Sequence, residues 1–181
     1  MRLLFAVLLV IALAPPAGAE VSEPSGLWTG PMHGQTPAAL AGAQVVDAET
    51  VALLKDKGAV LIDVAETPKK PEKLANGSLW LPIHFTIPGA VWLASAGFGD
   101  PSPEFQKRFN ERVSALAGGD KARPMVAFCH PGCWGSWNAA KRLVMLGYRH
   151  VFWFPGGVEG WQEKFATAPV KEDTAWNEMK R

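Results

Sequence analysis

The stretch of sequence that decides the fold is residues 125–147, MVAFCHPGCWGSWNAAKRLVMLG. Its first four residues form an apolar run, which is typical of a strand buried on both faces of a parallel sheet. A loop with two glycines follows, and apolar residues then recur at helical spacing until Gly147. This order places Cys129 between the end of a strand and the start of a helix, where the sites of open parallel sheets form.

The rest of the chain repeats this alternation. Apolar runs typical of strands are separated by segments with helical spacing, and a Gly or Pro follows most of these predicted elements. We therefore predict an α/β fold with a parallel sheet and helices on both faces. The predicted strands are 44–46, 59–64, a short one at 79–81, one from 90, 125–128 and 151–154, and the predicted helices are 48–57, 104–117, 136–146 and 158–165.

The first residues are typical of a secretory signal peptide. A charged start is followed by a short apolar run and a small-residue end, so we predict a signal peptide at 1–19 and export to the periplasm. Because the run breaks at Pro15, it is too short to span a bilayer, and no membrane span is expected after cleavage. The other predicted regions are an N-terminal arm at 20–43, one domain at 44–168 and a tail at 169–181.

The charge balance excludes several classes of partner. Without Arg2 the mature chain has 17 basic and 17 acidic residues, with no run of either sign. Nucleic acid and anionic lipid are therefore poor candidates for binding. The basic pair Lys141-Arg142 is predicted to lie on the solvated side of its helix.

The two cysteines are the main candidates for chemistry. Cys129 and Cys133 are the only cysteines, and in an exported protein they fit a disulfide, a redox couple, a metal clip or a nucleophile with a neighbour. A metal site is not expected, because Cys129, Cys133 and His130 lie too close together in one short loop and the sequence has no second pair of ligands. The helix start and the loop amides would lower the pKa of the Cys129 thiol, and a disulfide would need Cα atoms closer than about 7 Å.

The surrounding side chains have predicted roles that are mainly structural. Asp63 ends a buried strand, where we expect it to accept hydrogen bonds from loop amides. Two interpretations of the eight tryptophans are open. In one, Trp153 and Trp161 are core residues and the rest are partly buried covers; in the other, an aromatic site is lined by Trp80, Trp92, Trp134, Trp137 and Trp153. The predicted active-site loop consists of His130, Pro131, Gly132, Trp134, Gly135 and Ser136.

The motifs resemble those of the rhodanese-like (sulfurtransferase) domain over roughly residues 45–165. The resemblance rests on the order of Asp63-Val64, Ile87-Pro88-Gly89-Ala90, a strand that ends in Cys129, Gly147-Tyr148, and Gly156-Gly157 with Trp161. It implies a five-stranded parallel sheet, and a sulfur-carrying Cys129 that cycles through a persulfide held by loop amides. Rhodanese loops usually hold an arginine shortly after the glycine; because Cys133-Trp134-Gly135 stand there, thiosulfate turnover does not follow from the resemblance.

A narrower resemblance is to the family of PQQ-dependent catabolism-associated CXXCW motif proteins. It rests on Cys133-Trp134, on residues 136–142 and on Val151-Phe152-Trp153, with a spacing of Cys-x-x-x-Cys-Trp, one residue longer than the family's name. It implies a pathway association with pyrroloquinoline quinone (PQQ) rather than a bound cofactor. The implied partners are a periplasmic quinoprotein dehydrogenase or cytochrome, and a small sulfur donor or thiol.

Two functional hypotheses follow. In the first, the chain is an exported accessory protein in which Cys129, with Cys133, transfers sulfur or exchanges disulfides during alcohol catabolism that depends on PQQ. In the second, the chain is a non-catalytic module that recognises a quinoprotein dehydrogenase, a cytochrome or a quinone, and the two cysteines form a structural disulfide.

Overall fold

The computed structural model describes residues 21–74 and 76–178, so the predicted signal peptide lies outside the described residues. Within those ranges, no helix is both long and apolar enough to cross a membrane. The strands are β1 (Gln44–Val45), β2 (Val60–Asp63), β3 (His84–Thr86), β4 (Val91–Trp92), β5 (Met125–Phe128), β6 (Val151–Phe154) and β7 (Ala168–Val170). The helices are α1 (Ala48–Asp56), α2 (Pro103–Ala117), α3 (Trp134–Met145), α4 (Gly157–Gln162) and α5 (Thr174–Glu178).

Five of the strands form one parallel sheet in the order β1-β6-β5-β2-β4. The strand that leads to Cys129 is central, and Ala127 lies opposite Ile62 on one side and Trp153 on the other. This arrangement confirms the predicted α/β fold with a five-stranded parallel sheet. A central position also explains the fully apolar sequence of β5, because a strand covered on both sides has no solvated face.

The two faces of the sheet bury different sets of side chains. Met125 and Ala127 pack into one cluster with Phe109 of α2 and Leu143 of α3. The alternate residues of β5, Val126 and Phe128, pack into a second cluster with Val51 of α1 and Val158 of α4. Because successive side chains of a strand point to opposite faces, α2 and α3 cover one face and α1 and α4 cover the other.

Two helix starts show how local chemistry sets the element boundaries. Asp47 caps α1 as predicted, and its Oδ1 accepts the amide of Thr50 at 2.9 Å. Helix α3 begins at Trp134, two residues before the predicted start. The reason is tertiary: the Trp134 amide, which the helix itself cannot satisfy, donates to the Met32 carbonyl of the N-terminal arm at 2.9 Å.

The predicted strand at 79–81 is wrong. The extended segment that pairs is β3, which lies three residues further on and forms a separate antiparallel pair with β7. Two of its side chains, His84 and Thr86, are anchored by hydrogen bonds to Asp63. Residues 79–81 have no such buried partner, and Leu79 and Leu81 are exposed.

The chain after β7 packs against the domain. Trp176 of α5 is fully buried, and its indole Nε1 donates to the Ala94 carbonyl at 3.0 Å. Asp173 accepts two hydrogen bonds from the Arg112 guanidinium of α2, at 2.7 and 2.8 Å. These contacts make residues 168–178 part of the packed structure.

The predicted burial of the tryptophans is wrong in part. Trp153 and Trp161 are core residues as expected, but Trp92, Trp134, Trp137 and Trp176 are also buried. The indole nitrogens of Trp92, Trp137 and Trp176 donate to backbone carbonyls, as in Trp92 Nε1 to Ala65 O at 2.8 Å, and these bonds offset the cost of burying the N–H groups. These side chains are therefore packing residues rather than the lining of an open aromatic site.

Candidate functional site

Cys129 lies directly after β5, at the carboxyl end of the central strand. Its side chain is buried, and its carbonyl accepts the amide of Val158 at 2.9 Å. Gly157 has a φ of +57°, and a Cβ built there would lie 2.5 Å from the Cys129 carbonyl oxygen. A glycine is needed at this point because the turn after β6 approaches the backbone of Cys129 too closely for any side chain.

Cys129 and Cys133 form a disulfide, with Cα atoms 6.4 Å apart. This separation lies within the limit that the sequence argument set for a bridge. Both sulfurs are oxidised here, so the expected low pKa of the Cys129 thiol concerns only the reduced protein. The bridge closes a loop of five residues, 129–133. We call this loop and the next three residues the cysteine loop (129–136).

The remaining side chains of the cysteine loop divide into an outer and an inner set. On the outside, His130 is partly exposed and its Nδ1 lies 2.8 Å from the Glu159 carboxylate of α4, while Pro131 is exposed. On the inside, Ser136 is buried: its hydroxyl donates to the Cys133 carbonyl and accepts from Trp153 Nε1, each at 3.0 Å. Ser136 thus ties the end of the disulfide loop to strand β6.

The N-terminal arm runs across the cysteine loop. His33 forms an antiparallel bridge with Cys133, and the Gly34 amide donates to the Gly132 carbonyl at 2.9 Å. Gly132 has a φ of +65°, and a Cβ there would come within 2.9 Å of the Gly34 carbonyl oxygen. The arm, which the sequence left without a role, therefore pairs with the loop as a short added strand.

The arm is held in place by Trp28 and Glu23. Trp28 exchanges two hydrogen bonds with the Asn138 side chain, with lengths of 2.8 and 3.0 Å. Glu23 accepts from Lys141 Nζ at 2.8 Å and from the Ala41 amide. Burial on its own raises the pKa of Glu23. The hydrogen bonds from Lys141 and Ala41 lower the pKa by more than burial raises it, so the net pKa lies below the ordinary value.

The arm changes what the loop amides do. The resemblance implied that these amides are turned toward the sulfur, yet the amide of Trp134 donates to Met32. At least this donor is committed to the arm while the arm lies in place. A thiolate or persulfide at Cys129 would therefore receive less amide stabilisation than the resemblance implied, unless the arm moves.

Asp63 is the centre of a buried polar cluster. Its Oδ1 accepts the Ala65 amide at 2.9 Å, while its Oδ2 lies 2.7 Å from His84 Nε2 and accepts the Thr86 hydroxyl at 2.6 Å. The His84 ring also stacks on Trp92, with centroids 4.1 Å apart. The carboxylate thus joins β2 to β3 through one loop amide and two side chains.

Arg142 is a site residue that the sequence argument placed wrongly. It was predicted to be solvated, but its side chain is buried and donates to the carbonyls of Ala96 and Phe98. Burial lowers its pKa to about 10. The sequence signal for this burial is its position one residue before Leu143, on a helix whose buried face is broad. The loop carbonyls that accept its hydrogen bonds are distant in sequence, so the local pattern does not show them.

The chain is similar to known rhodanese-like proteins. The family model described as "Rhodanese-like domain" matches residues 47–164. No curated protein matches the chain by sequence. Similar solved structures include the rhodanese-like domain of an Anabaena protein, with 18% identity and a TM-score of 0.44, covering 69% of this chain and 78% of that chain.

Two further solved structures are similar to the chain. One is the BH2092 protein of Bacillus halodurans, with 20% identity, a TM-score of 0.45, and coverage of 72% of this chain and 82% of that chain. The other is a 3-mercaptopyruvate sulfotransferase of Escherichia coli, with 20% identity and a TM-score of 0.46. That match covers 72% of this chain, but the chain spans only 54% of the Escherichia coli protein. The family model covers most of this chain, and the chain therefore belongs to the rhodanese-like domain family.

Proposed function

We propose that this protein is an exported rhodanese-like accessory protein that uses Cys129, with Cys133, for sulfur or thiol-disulfide transfer. One observation carries the proposal: the cysteine at the end of the central strand is joined to a second cysteine within the same short loop. A rhodanese-like fold is consistent with sulfurtransferase chemistry, and a second cysteine at this distance turns a carrier into a redox couple. The oxidised pair supports disulfide exchange as the main activity.

Sulfur transfer and disulfide exchange are linked in this proposal by a persulfide on Cys129. In the reduced protein, the Cys129 thiolate attacks the outer sulfur of a sulfane donor, the donor's bond to that sulfur breaks, and the donor leaves with the electron pair while Cys129 becomes a persulfide. The Cys133 thiolate then attacks the Cys129 sulfur and releases hydrosulfide, which leaves the disulfide seen here. An external thiol must supply two electrons to restore the reduced protein, so the disulfide has to be reducible while the protein is folded.

The short loop supports a reducible disulfide. In the chain-entropy account, closing a loop of five residues stabilises a protein by about 2 kcal/mol, against about 4.7 kcal/mol for a loop of 100 residues. The sheet and its two helical layers do not depend on this link, since both core clusters extend far beyond the loop. The protein is therefore expected to stay folded after reduction.

The pathway context is part of the proposal. Cys133-Trp134 and residues 136–142 resemble the family associated with PQQ-dependent catabolism, and the leader-like start of the sequence supports export to the periplasm. The proposed partner is a periplasmic quinoprotein dehydrogenase or its cytochrome. In this context PQQ is the cofactor of the partner, and no step of the proposed chemistry passes through it.

Intact-mass analysis of protein isolated from the periplasm tests the proposal. The mass is measured before and after incubation with thiosulfate, and separately after mild reductant and an alkylating tag. We expect the native protein to resist the tag and the mildly reduced protein to take two, and reduced Cys133→Ser to gain one sulfur atom from a sulfane donor. Cys129→Ser is the control that gains none. A disulfide that resists all reductants until the protein is denatured would contradict the proposal.

A second candidate function is a binding module, and an exposed apolar stripe favours it. Leu79, Leu81, Ile83 and Phe85 alternate along the chain, and all four are exposed. Exposed apolar stripes of this kind mark protein interaction sites. A double variant, Leu81→Ser with Ile83→Ser, should lose affinity for the dehydrogenase or cytochrome, while Cys129→Ser should keep it; the opposite pattern would assign binding to the cysteine loop.

A further inference from the structure

The two sulfurs of the disulfide differ in their surroundings. Both side chains are buried and belong to the same core cluster, but Cys129 is 1% exposed, whereas Cys133 is 7% exposed and lines a narrow pocket at the surface. Cys129 is not among the residues that line this pocket. An external thiol must reach one of the two sulfurs, and the only approach that the pocket provides is to Cys133.

Three segments build the wall of this pocket, which we call the Cys133 pocket. Met32 comes from the N-terminal arm, Val64 and Glu66 come from the chain after β2, and the third part is the segment 95–98. The empty space of about 230 Å³ includes the open mouth, and the enclosed part has room for about one water molecule, so a thiol would enter with its sulfur and keep the rest of the molecule at the mouth. Within the described ranges, Ser95 of this wall is the one non-glycine residue with positive φ, at +62°; such strain is often kept at functional sites.

The charge that lines the Cys133 pocket is negative. Among the described residues that line it, Glu66 is the only side chain that carries a charge at neutral pH, and it is exposed at the surface. The nearby Arg142 does not line the pocket, and its guanidinium donates to the carbonyls of Ala96 and Phe98 behind the wall. An anionic thiol would therefore approach a carboxylate without meeting a free cation in the lining.

We infer that the Cys133 sulfur is the point of attack for an external reductant, and that the Cys133 pocket selects small thiols carrying a positive or no charge over anionic ones. This inference rests on the proposed function and specifies the substrate of the same disulfide. It assigns different roles to the two cysteines during reduction of the disulfide: Cys133 is attacked by the external thiol, and Cys129 is the buried member that leaves.

Reduction of the disulfide proceeds by two successive thiol exchanges. The thiolate of the external thiol attacks Cys133 Sγ through the pocket, a new S–S bond forms, and the Cys133–Cys129 bond breaks. The electron pair goes to Cys129 Sγ, which takes up a proton. A second external thiol then attacks the mixed disulfide, so the protein gains two electrons and two protons, and two thiols become one small-molecule disulfide.

The charge preference is tested with three thiols of one scaffold. These are 2-mercaptoethylamine, 2-mercaptoethanol and 2-mercaptoethanesulfonate, and each rate of reduction of the folded protein is expressed per thiolate and corrected for thiol basicity. The expected order is amine, then alcohol, then sulfonate, with about tenfold between the extremes at low salt and less at high salt. In Glu66→Gln the three rates should converge, while Glu72→Gln, an exposed glutamate of the same loop outside the pocket, should keep the order. Equal corrected rates in the wild-type protein would overturn the charge selection.

The point of attack is tested by trapping. The folded, oxidised protein is mixed briefly with 2-mercaptoethylamine, quenched in acid and digested, and the mixed disulfide is expected on Cys133. A mixed disulfide on Cys129 would overturn the inference while leaving the proposed function intact. If no thiol reduces the folded protein, the proposed function fails, and the inference fails with it.

The pocket wall gives an independent test. Met32→Ala widens the Cys133 pocket on the arm side and should raise the rate for all three thiols by about threefold or more. Met145→Ala is the matched control, because this methionine is exposed on the last turn of α3 and does not line the pocket. An unchanged rate in Met32→Ala would show that thiols reach the disulfide by another route.

Discussion

Trp28 of the N-terminal arm lies flat against Trp134 of the cysteine loop, with ring centroids 4.2 Å apart and planes inclined by 14°. The two residues are 106 positions apart in sequence, so this stack joins the start of the described chain to the helix that follows the disulfide. It holds the arm where it covers the loop, and it makes the arm a determinant of access to the cysteines.

The first prediction concerns this stack. Trp28→Ala should lower the free energy of unfolding by about 2 kcal/mol, since a large aromatic contact is lost from a half-buried site. It should also speed reduction of the disulfide by about tenfold. If the arm is held over the cysteine loop by about 1.4 kcal/mol less, the fraction of molecules in which the arm has opened rises tenfold. Urea unfolding and the rate of reduction by 2-mercaptoethanol measure the two effects. Trp80→Ala, a half-exposed tryptophan of the loop before β3, should leave the rate unchanged.

The second prediction compares two glycines of α4. Gly157→Ala should destabilise the protein by at least about 2 kcal/mol, because its φ is +57° and the new Cβ would overlap the Cys129 carbonyl. Gly160→Ala should be neutral or stabilising, since its Cβ would make an ordinary contact with Phe154 at 3.5 Å and alanine favours helix. Thermal unfolding of both variants checks this, and equal effects would show that the close approach at Cys129 is not the cause.

The third prediction separates a structural role of Asp63 from a chemical one. Asp63→Asn should lower the free energy of unfolding by about 3 kcal/mol, because the buried carboxylate accepts from Ala65 and Thr86 and pairs with His84. The rate of disulfide reduction in the folded variant should stay within twofold of the wild type. Asp120→Asn, which removes the charge of an exposed loop acceptor, should change stability by less than about 0.5 kcal/mol. A large fall in the reduction rate with little loss of stability would instead place Asp63 in the chemistry.

The fourth prediction concerns pH and the pair Arg112–Asp173. Burial of the Asp173 carboxyl on its own raises the pKa, but the bonds from the Arg112 guanidinium and the Trp176 amide lower it more, so the net pKa lies below the ordinary value. A depressed folded pKa stabilises the protein above the unfolded pKa of about 3.9, and this stability is lost as the pH falls through the folded value.

The variant Asp173→Asn should therefore be less stable than the wild type by about 2 kcal/mol at pH 7, with the difference shrinking below pH 4. Urea unfolding at pH 7 and pH 3 measures it. Asp56→Asn, on the exposed end of α1, should show no such dependence. A difference that is constant from pH 7 to pH 3 would mean that the charge of Asp173 does not contribute.

The sequence by itself determined the sheet, most helix bounds and the place of the cysteine pair. Strand β5 and helix α3 follow from an unbroken apolar run and a helical period, and Cys129 and Cys133 are four positions apart in a loop whose Pro131-Gly132 favours a turn. These features depend on neighbours within a few residues, and periodicity reports such neighbours directly.

Only the tertiary structure decided what covers the cysteines and what lies buried beside them. The stack of Trp28 on Trp134, the bonds from Arg142 to Ala96 and Phe98, and the packing of Trp176 join residues about 45 to 106 positions apart. The local sequence pattern predicts that Arg142 is solvated, because a charged side chain on a helix is normally exposed. Burial becomes possible only when distant loop carbonyls meet the guanidinium, and such a meeting is a property of the whole fold.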